Sequence, residues 1–131
     1  MTKYIPPALD WVREQVELYE SSGGTEGTTL KDTALPCIIV THVGNKTGAM
    51  RKIPLMRVKV ENSYVLIGSY GGRQKNPVWV YNLRANPDVE MRDKTETFKS
   101  KRNYRINRKR RYYGRKSAKN AKIDFRREKR A

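Results

Sequence analysis

The stretch CIIVTHVGNKTGAMRKIPLM, residues 37–56, decides the fold of this chain. Its first seven residues are β-branched and mostly apolar, GNKTG is typical of a turn, and RKIPLMRVKV (51–60) follows with strand-like alternation. The order predicts a β-hairpin with a glycine-rich tip. Because the tip carries Lys46 and Thr47 and is followed by Arg51, it offers cations, a hydroxyl and backbone N–H groups to a phosphate or a carboxylate. A solvated hairpin tip is the alternative interpretation, since surface hairpins commonly carry lysine and arginine.

The segments on either side of this hairpin predict an α+β chain. A proline pair is followed by four apolar residues at helical spacing, which predicts an N-terminal amphipathic helix that ends before residue 21: Leu9, Val12, Val16 and Tyr19. Three later segments predict, in order, a strand, a short helix and a second hairpin: YVLIGS (64–69), PVWVYNLRAN (77–86) and VEMRDKTETFKSK (89–101). Strands and helices do not alternate regularly, so we expect an α+β fold or a small barrel.

The charge of the chain is concentrated near its end. The 131 residues carry a net charge of +16, and this length corresponds to one domain. Residues 1–97 hold 13 Lys and Arg against 11 Asp and Glu, whereas residues 98–131 hold 16 against 2. The basic segment has few aliphatic residues and cannot bury enough surface to fold by itself. We therefore expect a folded domain over residues 1–101 and a polybasic, disordered or aberrant tail over residues 102–131.

Few side chains in this sequence are suited to catalysis or to metal binding. Cys37 is the only cysteine and His42 the only histidine, which excludes a disulfide framework and histidine-rich or multi-cysteine metal sites. No nucleophile elbow, GxxxxGK[ST] or GxGxxG sequence is present. A lone histidine on a strand is more often structural than catalytic. Without a signal peptide or a long apolar segment, we expect a cytoplasmic protein, with attachment to the inner face of the membrane left open.

A second glycine-rich loop precedes the predicted short helix. Ser69, Gly71 and Gly72 lie a few residues before Trp79, so backbone amides and a flat apolar ring come together near the end of a strand. This combination suits a flat cofactor with an anionic tail. The alternative is that Trp79 is a core aromatic residue that anchors the short helix.

Five ordered blocks carry a resemblance to a known family: GGTEGTTL, LPCIIVTHVGNKTGAMRKIPL, SYVLIGSYGG, KNPVWVYNLRANPDVEM and ETFK. Together they span roughly residues 5 to 101, and the chain resembles the deazaflavin-dependent nitroreductases, split β-barrel reductases that use coenzyme F420. The resemblance implies an α+β split barrel, of the kind that also binds FMN, with an N-terminal helix and a short helix crossing the sheet. It implies an enzyme that transfers a hydride from reduced F420 to a nitroaromatic, a quinone or an activated enone.

The resemblance also implies which residues bind the coenzyme. The family segment G-R-K-[ST]-G-x-x-R, which holds the phosphate and the acidic tail, corresponds to residues 44–51, where Asn45 replaces the usual arginine. The expected coenzyme contacts are Lys46, Thr47, Gly48, Arg51, Pro54, Leu55, Met56, Ser69, Gly71, Gly72, Asn76, Pro77, Trp79 and Asn82. No catalytic side chain is predicted, because the hydride belongs to the coenzyme. FMN is the alternative coenzyme, since a cationic clamp does not discriminate between two phosphorylated ring systems.

The resemblance ends where the basic segment begins. The family continues into a helix with pocket aromatics and a final apolar strand, and neither is recognisable in residues 102–131. A genuine extension, an end produced by a shifted reading frame and a diverged segment that folds on the body all stay open. We favour the shifted frame, because composition and family match change at the same point. It would leave the barrel without its closing strand and would weaken activity or stability.

The basic segment also supports a second hypothesis about function. The stretch RNYRINRKRRYYGRKS (102–117) interleaves tyrosines with cations, as in segments that contact phosphates and stack on bases. A non-catalytic protein that binds nucleic acid or an anionic membrane surface through this segment is therefore the alternative to a reductase. For the reductase, the expected partners are a small-molecule hydride acceptor and a second copy of the chain in a homodimer.

Overall fold

A computed structural model describes residues 3–30, 33–60, 63–68, 78–102 and 121–127. Within these ranges the chain forms two helices, α1 (Asp10–Ser21) and α2 (Val78–Ala85). It also forms seven strands: β1 (Cys37–Val43), β2 (Met50–Met56), β3 (Lys59–Val60), β4 (Ser63–Gly68), β5 (Val89–Asp93), β6 (Glu96–Arg102) and β7 (Ala121–Arg127). Neither described helix is both long enough and apolar enough to cross a membrane.

The seven strands form one sheet in the order β2-β1-β5-β6-β7-β4-β3, and each pairing between these strands is antiparallel. The first and last strands of this order, β2 and β3, are separated by only Arg57 and Val58. A connection of that length spans about 10 Å, whereas the outer strands of a flat sheet of this size would lie about 29 Å apart. The sheet therefore curls until its two edges approach each other.

Strand β1 is buried on both faces, and each face belongs to a separate apolar cluster. Ile38 and Val40 point to an interior cluster that also contains residues of β4, β5, β6 and α2. Cys37 and Ile39 point to the other side, where they pack against Val16 and Tyr19 of α1. The alternation of side chains along a strand produces this division, and it makes the seven-residue apolar run of β1 the centre of the fold.

Helix α1 and the loop after it are fixed to the turn between β5 and β6. The hydroxyl of Tyr19, whose side chain is fully buried, donates to the Cys37 carbonyl at 3.1 Å and accepts from the Lys94 N–H at 2.6 Å. Gly24 has a φ of +85°, and a Cβ at this position would lie 1.7 Å from the Lys94 oxygen. The loop therefore approaches the turn so closely that only glycine fits.

Most elements predicted from the sequence up to residue 101 are confirmed. The N-terminal helix, the hairpin that begins at residue 37, the following strand, the short helix and the second hairpin all form, with bounds within a few residues of those expected. The single strand predicted over residues 51–60 is wrong, because the chain leaves β2 after Met56 and Lys59–Val60 pairs with β4 instead. One predicted member of the apolar helix face is wrong: Leu9 is 62% exposed, because α1 begins one residue later and buries Gln15, Val16 and Tyr19. The mixed helix and antiparallel-sheet composition agrees with the predicted α+β class.

Strand β7 lies in the segment that we expected to remain outside the fold. It pairs with β4 from Ser63 to Gly68 and with β6 from Ser100 to Arg102, so it connects the two halves of the sheet. The expectation that no strand follows residue 101 is therefore wrong for Ala121–Arg127. Its sequence, AKIDFRR, alternates Ala121, Ile123 and Phe125 with polar residues, a strand signal that the charge of the surrounding segment concealed. For the rest of residues 102–131 the division into domain and tail stays a prediction.

Candidate functional site

The antiparallel order of the strands defines two ends of the sheet. One end carries the β1–β2 turn, residues 44–49, together with the carboxyl ends of β4 and β6. We call this the clamp end and the turn itself the clamp turn. The other end carries the β5–β6 turn and the beginning of β4. The residues expected to bind an anion lie at the clamp end.

The backbone of the clamp turn is tightly closed and leaves two N–H groups without a partner. The Gly44 N–H donates to the Ala49 oxygen at 2.8 Å, and the Gly48 N–H donates to the Gly44 oxygen at 2.9 Å. Gly48 has a φ of +68°, which favours glycine. Within the described part of the chain, the N–H groups of Lys46 and Thr47 form no hydrogen bond, and both residues are exposed. Two successive unpaired N–H groups in a turn form an anion-binding concavity.

Side chains converge on the same turn above Gly44. A Cβ at Gly44 would lie 2.8 Å from Thr47 Oγ1 and 3.5 Å from Arg51 Nε, so the missing side chain makes room for these two groups to meet. Thr47 Oγ1 accepts from the Ala49 N–H at 3.1 Å, which leaves the hydroxyl proton for donation to a ligand. With Lys46 nearby, the turn provides two cationic side chains, and neither is paired with an acid among the residues that the structure describes. This donor set fits a phosphate or a carboxylate.

Helix α2 is attached to the clamp turn through one buried amide side chain. Asn82 is 5% exposed, and its Oδ1 accepts the N–H of Asn45 at 2.9 Å. This contact connects two segments that are 37 residues apart in the chain. It also satisfies the N–H of Asn45, whereas the N–H groups of the next two residues remain unpaired within the described part of the chain.

A buried histidine lies beside the clamp. His42 is opposite Arg51 in the β1–β2 register and is 4% exposed, and its Nδ1 has no hydrogen-bond partner among the described residues. The pKa of His42 is lowered to about 4, because burial lowers it more than the Val40 backbone raises it, and the nearby guanidinium of Arg51 adds to the lowering. The imidazole is therefore neutral at pH 7. This buried position agrees with the structural role that is expected of a lone histidine on a strand. It also puts a neutral polar group next to the donors of the clamp turn.

The structure separates the three consecutive residues of β2 that the family resemblance assigns to the coenzyme. Leu55 packs against the interior cluster, on the face that also carries His42 and Arg51. Pro54 and Met56 are opposite Ile39 and Cys37 in the register, so their side chains point to the α1 face. Only Leu55 can therefore offer a side chain to a ligand on the interior face.

Trp79 belongs to the interior cluster, where it is 5% exposed. This position supports the interpretation that Trp79 anchors α2 in the core, and it allows at most the edge of the ring to reach a ligand. Five other residues expected to contact the coenzyme lie outside the described residues: Ser69, Gly71, Gly72, Asn76 and Pro77. The described clamp residues that come together are Lys46, Thr47, Gly48 and Arg51, with Asn82 behind them.

Two features of the site were not recognised in the sequence. The contact between Asn82 and Asn45 was missed, because no local pattern relates a helix to a turn 37 residues away. Ser100 was also missed: its side chain is 1% exposed, and its Oγ has no hydrogen-bond partner in the part of the chain that the structure describes. The alternation of β6 could have placed Ser100 on the interior face, two residues after the buried Phe98. In the described ranges, no group of three or more His, Cys, Asp or Glu residues could hold a metal ion.

Comparison with known proteins identifies relatives of this chain. The sequence profile of the F420H2-dependent quinone reductase family matches residues 11–130. An F420H2-dependent quinone reductase of Mycobacterium tuberculosis H37Rv is 32% identical over 74 residues, which are 56% of this chain and 49% of the relative. The matched stretch thus spans about half the length of that relative. These matches name F420H2 and give no support to FMN as the coenzyme, or to nucleic acid or a membrane as the partner.

Two solved structures are similar to the fold. A protein solved as a domain-swapped dimer is 30% identical with a TM-score of 0.56, and the match covers 91% of this chain and 98% of that one. An F420H2-dependent reductase, FDR-A, is 27% identical with a TM-score of 0.53, and the match covers 71% of this chain and 94% of that one. The family profile extends past residue 101 and includes β7, in agreement with the place of this strand in the sheet. The chain belongs to the F420H2-dependent quinone reductase family.

Proposed function

We propose that the protein is an F420H2-dependent reductase that binds the anionic part of the coenzyme in the clamp turn and reduces a quinone, a nitroaromatic or an activated enone. Membership of the quinone reductase family supports a quinone first among these acceptors. The observation that carries the proposal is the convergence of Thr47 Oγ1 and Arg51 Nε on the space above Gly44. A phosphate or a carboxylate fits this donor set, whereas an uncharged ligand would leave the cationic side chains of the site without a partner.

The residues of the chain bind and position the coenzyme, whereas the hydride comes from the coenzyme itself. When bound, the reduced deazaflavin supplies a hydride to the acceptor. Lys46 and Arg51 neutralise the anionic groups, and the N–H groups of residues 46 and 47 and the Thr47 hydroxyl add directional hydrogen bonds. Gly48 gives the turn the backbone conformation that this arrangement requires. The expected contacts of Ser69, Gly71, Gly72, Asn76 and Pro77 with the coenzyme remain part of the proposal.

We also propose that the curled sheet is the split barrel of these reductases. The two-residue connection between the outer strands β2 and β3 supports this interpretation. So does the hydrogen bond from the Val65 N–H of β4 to the Val58 oxygen, at 2.8 Å, within that connection. In a split barrel the interior cluster forms the wall against which the coenzyme ring lies, and the clamp turn lies at the rim.

A homodimer is the assembly that we propose for the chain. One similar protein has been solved as a domain-swapped dimer. In this chain, strand β7 follows β6 after an 18-residue connection and lies between β6 and β4. Such a strand can be exchanged between two copies without loss of hydrogen bonds. Light scattering of the purified chain during gel filtration would give the mass directly, and a monomer at every concentration would contradict this assignment.

Titration with oxidised F420 tests the central proposal. A Trp11→Phe background leaves Trp79 as the fluorescent reporter, and saturable quenching is expected. Lys46→Ala and Arg51→Ala should each weaken binding by about tenfold or more, because each loses a charge-assisted interaction of about 1.5–3 kcal/mol. Lys99→Ala is the matched control, since it removes the same charge from an exposed position in β6 and should change the affinity less than twofold.

The outcomes separate the hypotheses. Binding of F420 that weakens in both clamp variants and not in Lys99→Ala supports the site. Equal weakening in all three variants would show that only net charge attracts the coenzyme. Preferential binding of FMN, titrated in the same way, would contradict the choice of coenzyme. If F420 binds, turnover of reduced F420 with menadione, measured by the return of deazaflavin absorbance, tests the reductase activity.

A further inference from the structure

His42 is a buried titratable side chain that the proposed coenzyme binding does not use. It is opposite Arg51 in the β1–β2 register, and Arg51 Nε lies 3.5 Å from the position that a Cβ of Gly44 would occupy. Directly opposed residues of two antiparallel strands have Cβ atoms about 5 Å apart. The imidazole therefore shares its surroundings with a guanidinium of the anion site, and an inference from this position rests on the proposed function because it uses the same site.

The described residues around His42 bring cations and neutral groups to its face of the sheet. Strand β2 and the clamp turn contribute Arg51 and Lys46, and both are cations. Continuing the β1–β5 register by one residue brings Val89 level with His42, and the next residue in this row is on β6. The uncharged neighbours from β5, β6 and α2 are Val89, Ser100, Trp79 and Asn82.

The acids of β5 and β6 point elsewhere or lie at the other end of the sheet. Asp88 and Glu90 flank Val89 in sequence and are exposed. Asp93 and Glu96 are each four residues along their strands from the His42 row, a distance of about 13 Å. Within the described part of the chain, an imidazolium at His42 thus has no acid beside it to balance its charge.

An anion in the clamp turn would supply the negative charge that these surroundings lack. Burial is the main cause of the low pKa of His42, about 4, and the charge of Arg51 adds to it. Negative charge held between the clamp N–H groups and Arg51 opposes both effects, because it attracts the imidazolium and offsets the guanidinium. By reciprocity, whatever factor the anion adds to the proton affinity of His42, the proton adds to the affinity for the anion.

We propose that anion binding at the clamp turn is linked to proton uptake, and that His42 is the group that takes the proton from solvent when the anion binds. The affinity for the anion is then constant at neutral pH and increases as the pH falls toward the pKa of His42 in the chain without the anion. A bound anion also opposes the loss of stability in acid, because it stabilises the buried imidazolium. His42 thus tunes the anion site without donating a hydrogen bond to the ligand.

The single histidine makes a direct test possible, because proton NMR of the chain purified without a histidine tag shows one imidazole. The probe is sulfate, which fits the same donors as a phosphate and keeps its charge while His42 titrates. Sodium chloride at the same ionic strength controls for screening of the net charge of +16. Compared with chloride, saturating sulfate should raise the midpoint of the His42 titration by about one pH unit or more. The affinity for sulfate should be about twofold to fourfold higher at about pH 5 than at pH 7.

Three variants locate the effect. Arg51→Ala removes a cation opposite His42 and a donor to the anion, so its midpoint should be higher in chloride and should respond little to sulfate. Lys99→Ala is the matched control, since it removes the same charge from an exposed position of β6 and should keep the full response to sulfate. His42→Phe should lose the pH dependence of sulfate affinity, as measured by the fluorescence of Trp79 in the Trp11→Phe background.

The proton linkage and the proposed function fail in different ways. Equal midpoints in sulfate and chloride would overturn the linkage, and so would an equal response to sulfate in Arg51→Ala and the unaltered chain. Absence of sulfate binding at every pH would overturn it as well. A chain whose His42 responds to sulfate but which binds no F420 would keep the linkage and contradict the coenzyme. Binding of F420 without any response of His42 would contradict the linkage alone.

Discussion

The two ends of the sheet differ in how their polar groups are hydrogen-bonded. At the end opposite the clamp, Asp93 Oδ2 accepts from Arg57 Nε at 2.8 Å and from the Tyr64 hydroxyl at 2.6 Å. The three residues come from three parts of the fold: β5, the β2–β3 connection and β4. The pKa of Tyr64 is raised by burial first and then by its hydrogen bond to the Asp93 carboxylate. We call this the closed end, because its donors and its acceptor form hydrogen bonds with one another.

At the clamp end, polar groups on the interior side remain unpaired within the described structure. His42 Nδ1 and Ser100 Oγ are buried without hydrogen-bond partners, and the two N–H groups of the clamp turn are also unpaired. The other described buried side-chain atoms without a hydrogen-bond partner belong to Gln15 and Arg92, on the α1 side, where Arg92 Nε forms an ion pair with Glu20 at 3.8 Å. Unpaired buried polar groups cost stability, so their concentration beside a cationic turn indicates an end that is arranged for a ligand. At one end the polar groups stabilise the fold, and at the other the unpaired donors are those of the proposed coenzyme site.

The largest expected effect comes from breaking the closed end at its tightest contact. Gly24→Ala should reduce the free energy of unfolding by about 4 kcal/mol, because the new Cβ would lie 1.7 Å from the Lys94 oxygen and the positive φ disfavours alanine. Gly23→Ala is the matched control: its φ is +67° and a Cβ there meets nothing within 4 Å. It should cost about 1 kcal/mol, from the backbone conformation alone. Urea unfolding gives both values, and similar losses would contradict the close approach.

The second effect is a pH dependence that arises at the clamp end. The pKa of His42 is about 4 in the folded chain, below its ordinary value of 6.5. Between these two values the unfolded chain binds more protons, so stability is complete above pH 6.5 and falls as the pH decreases to 4. The loss attributable to His42 is about 3 kcal/mol over this window. His42→Phe should remove that slope, as measured by urea unfolding at several pH values. If the difference in unfolding free energy between His42→Phe and the unaltered chain is the same at every pH from 4 to 6.5, His42 is not buried as a neutral group.

The hairpin of residues 37–56 could be predicted from the sequence because every signal for it is local. A β-branched run, a glycine turn and an alternating strand follow one another within 20 residues, and the cations that define the clamp lie in the same stretch. The two-sided burial of β1 also follows from its nearly continuous apolar run. For these elements the local pattern and the final packing agree.

The features that the sequence did not predict depend on contacts between distant residues. Strand β7 lies in a strongly cationic segment, and its position in the sheet depends on pairing with β4 and β6, which are distant in sequence. The side chain of Asn82 was assigned to the coenzyme by resemblance, whereas its position against Asn45 depends on how α2 lies on the sheet. Likewise, the division of Pro54 and Leu55 between two faces follows from the register with β1. Pairing and register are properties of the assembled sheet.

A smaller effect should follow from removing the negative charge of Asp93, which accepts both hydrogen bonds at the closed end. Asp93→Asn keeps an acceptor oxygen for Arg57 and Tyr64 but loses the charge-assisted character of both hydrogen bonds. Because Arg57 remains partly accessible to water, we expect a loss of about 2 kcal/mol in urea unfolding. Asp88→Asn is the control, since Asp88 is an exposed acid that directly precedes β5. Unlike the clamp variants, the folded Asp93→Asn chain should bind F420 with unchanged affinity, and weaker binding would contradict the separation of the two ends.

The smallest effect concerns a single hydroxyl of the clamp. Thr47 Oγ1 accepts the Ala49 N–H, and its proton remains for the ligand, so the group both closes the turn and contributes to binding. Thr47→Ser keeps both roles and should bind F420 within twofold of the unaltered chain. Thr47→Val keeps the shape and loses the hydroxyl, which should weaken F420 about fivefold, the equivalent of one hydrogen bond of about 1 kcal/mol. The fluorescence titration distinguishes these variants. Equal affinity of the serine and valine chains would show that the hydroxyl proton does not reach the coenzyme, and the clamp would then bind through its cations and backbone N–H groups alone.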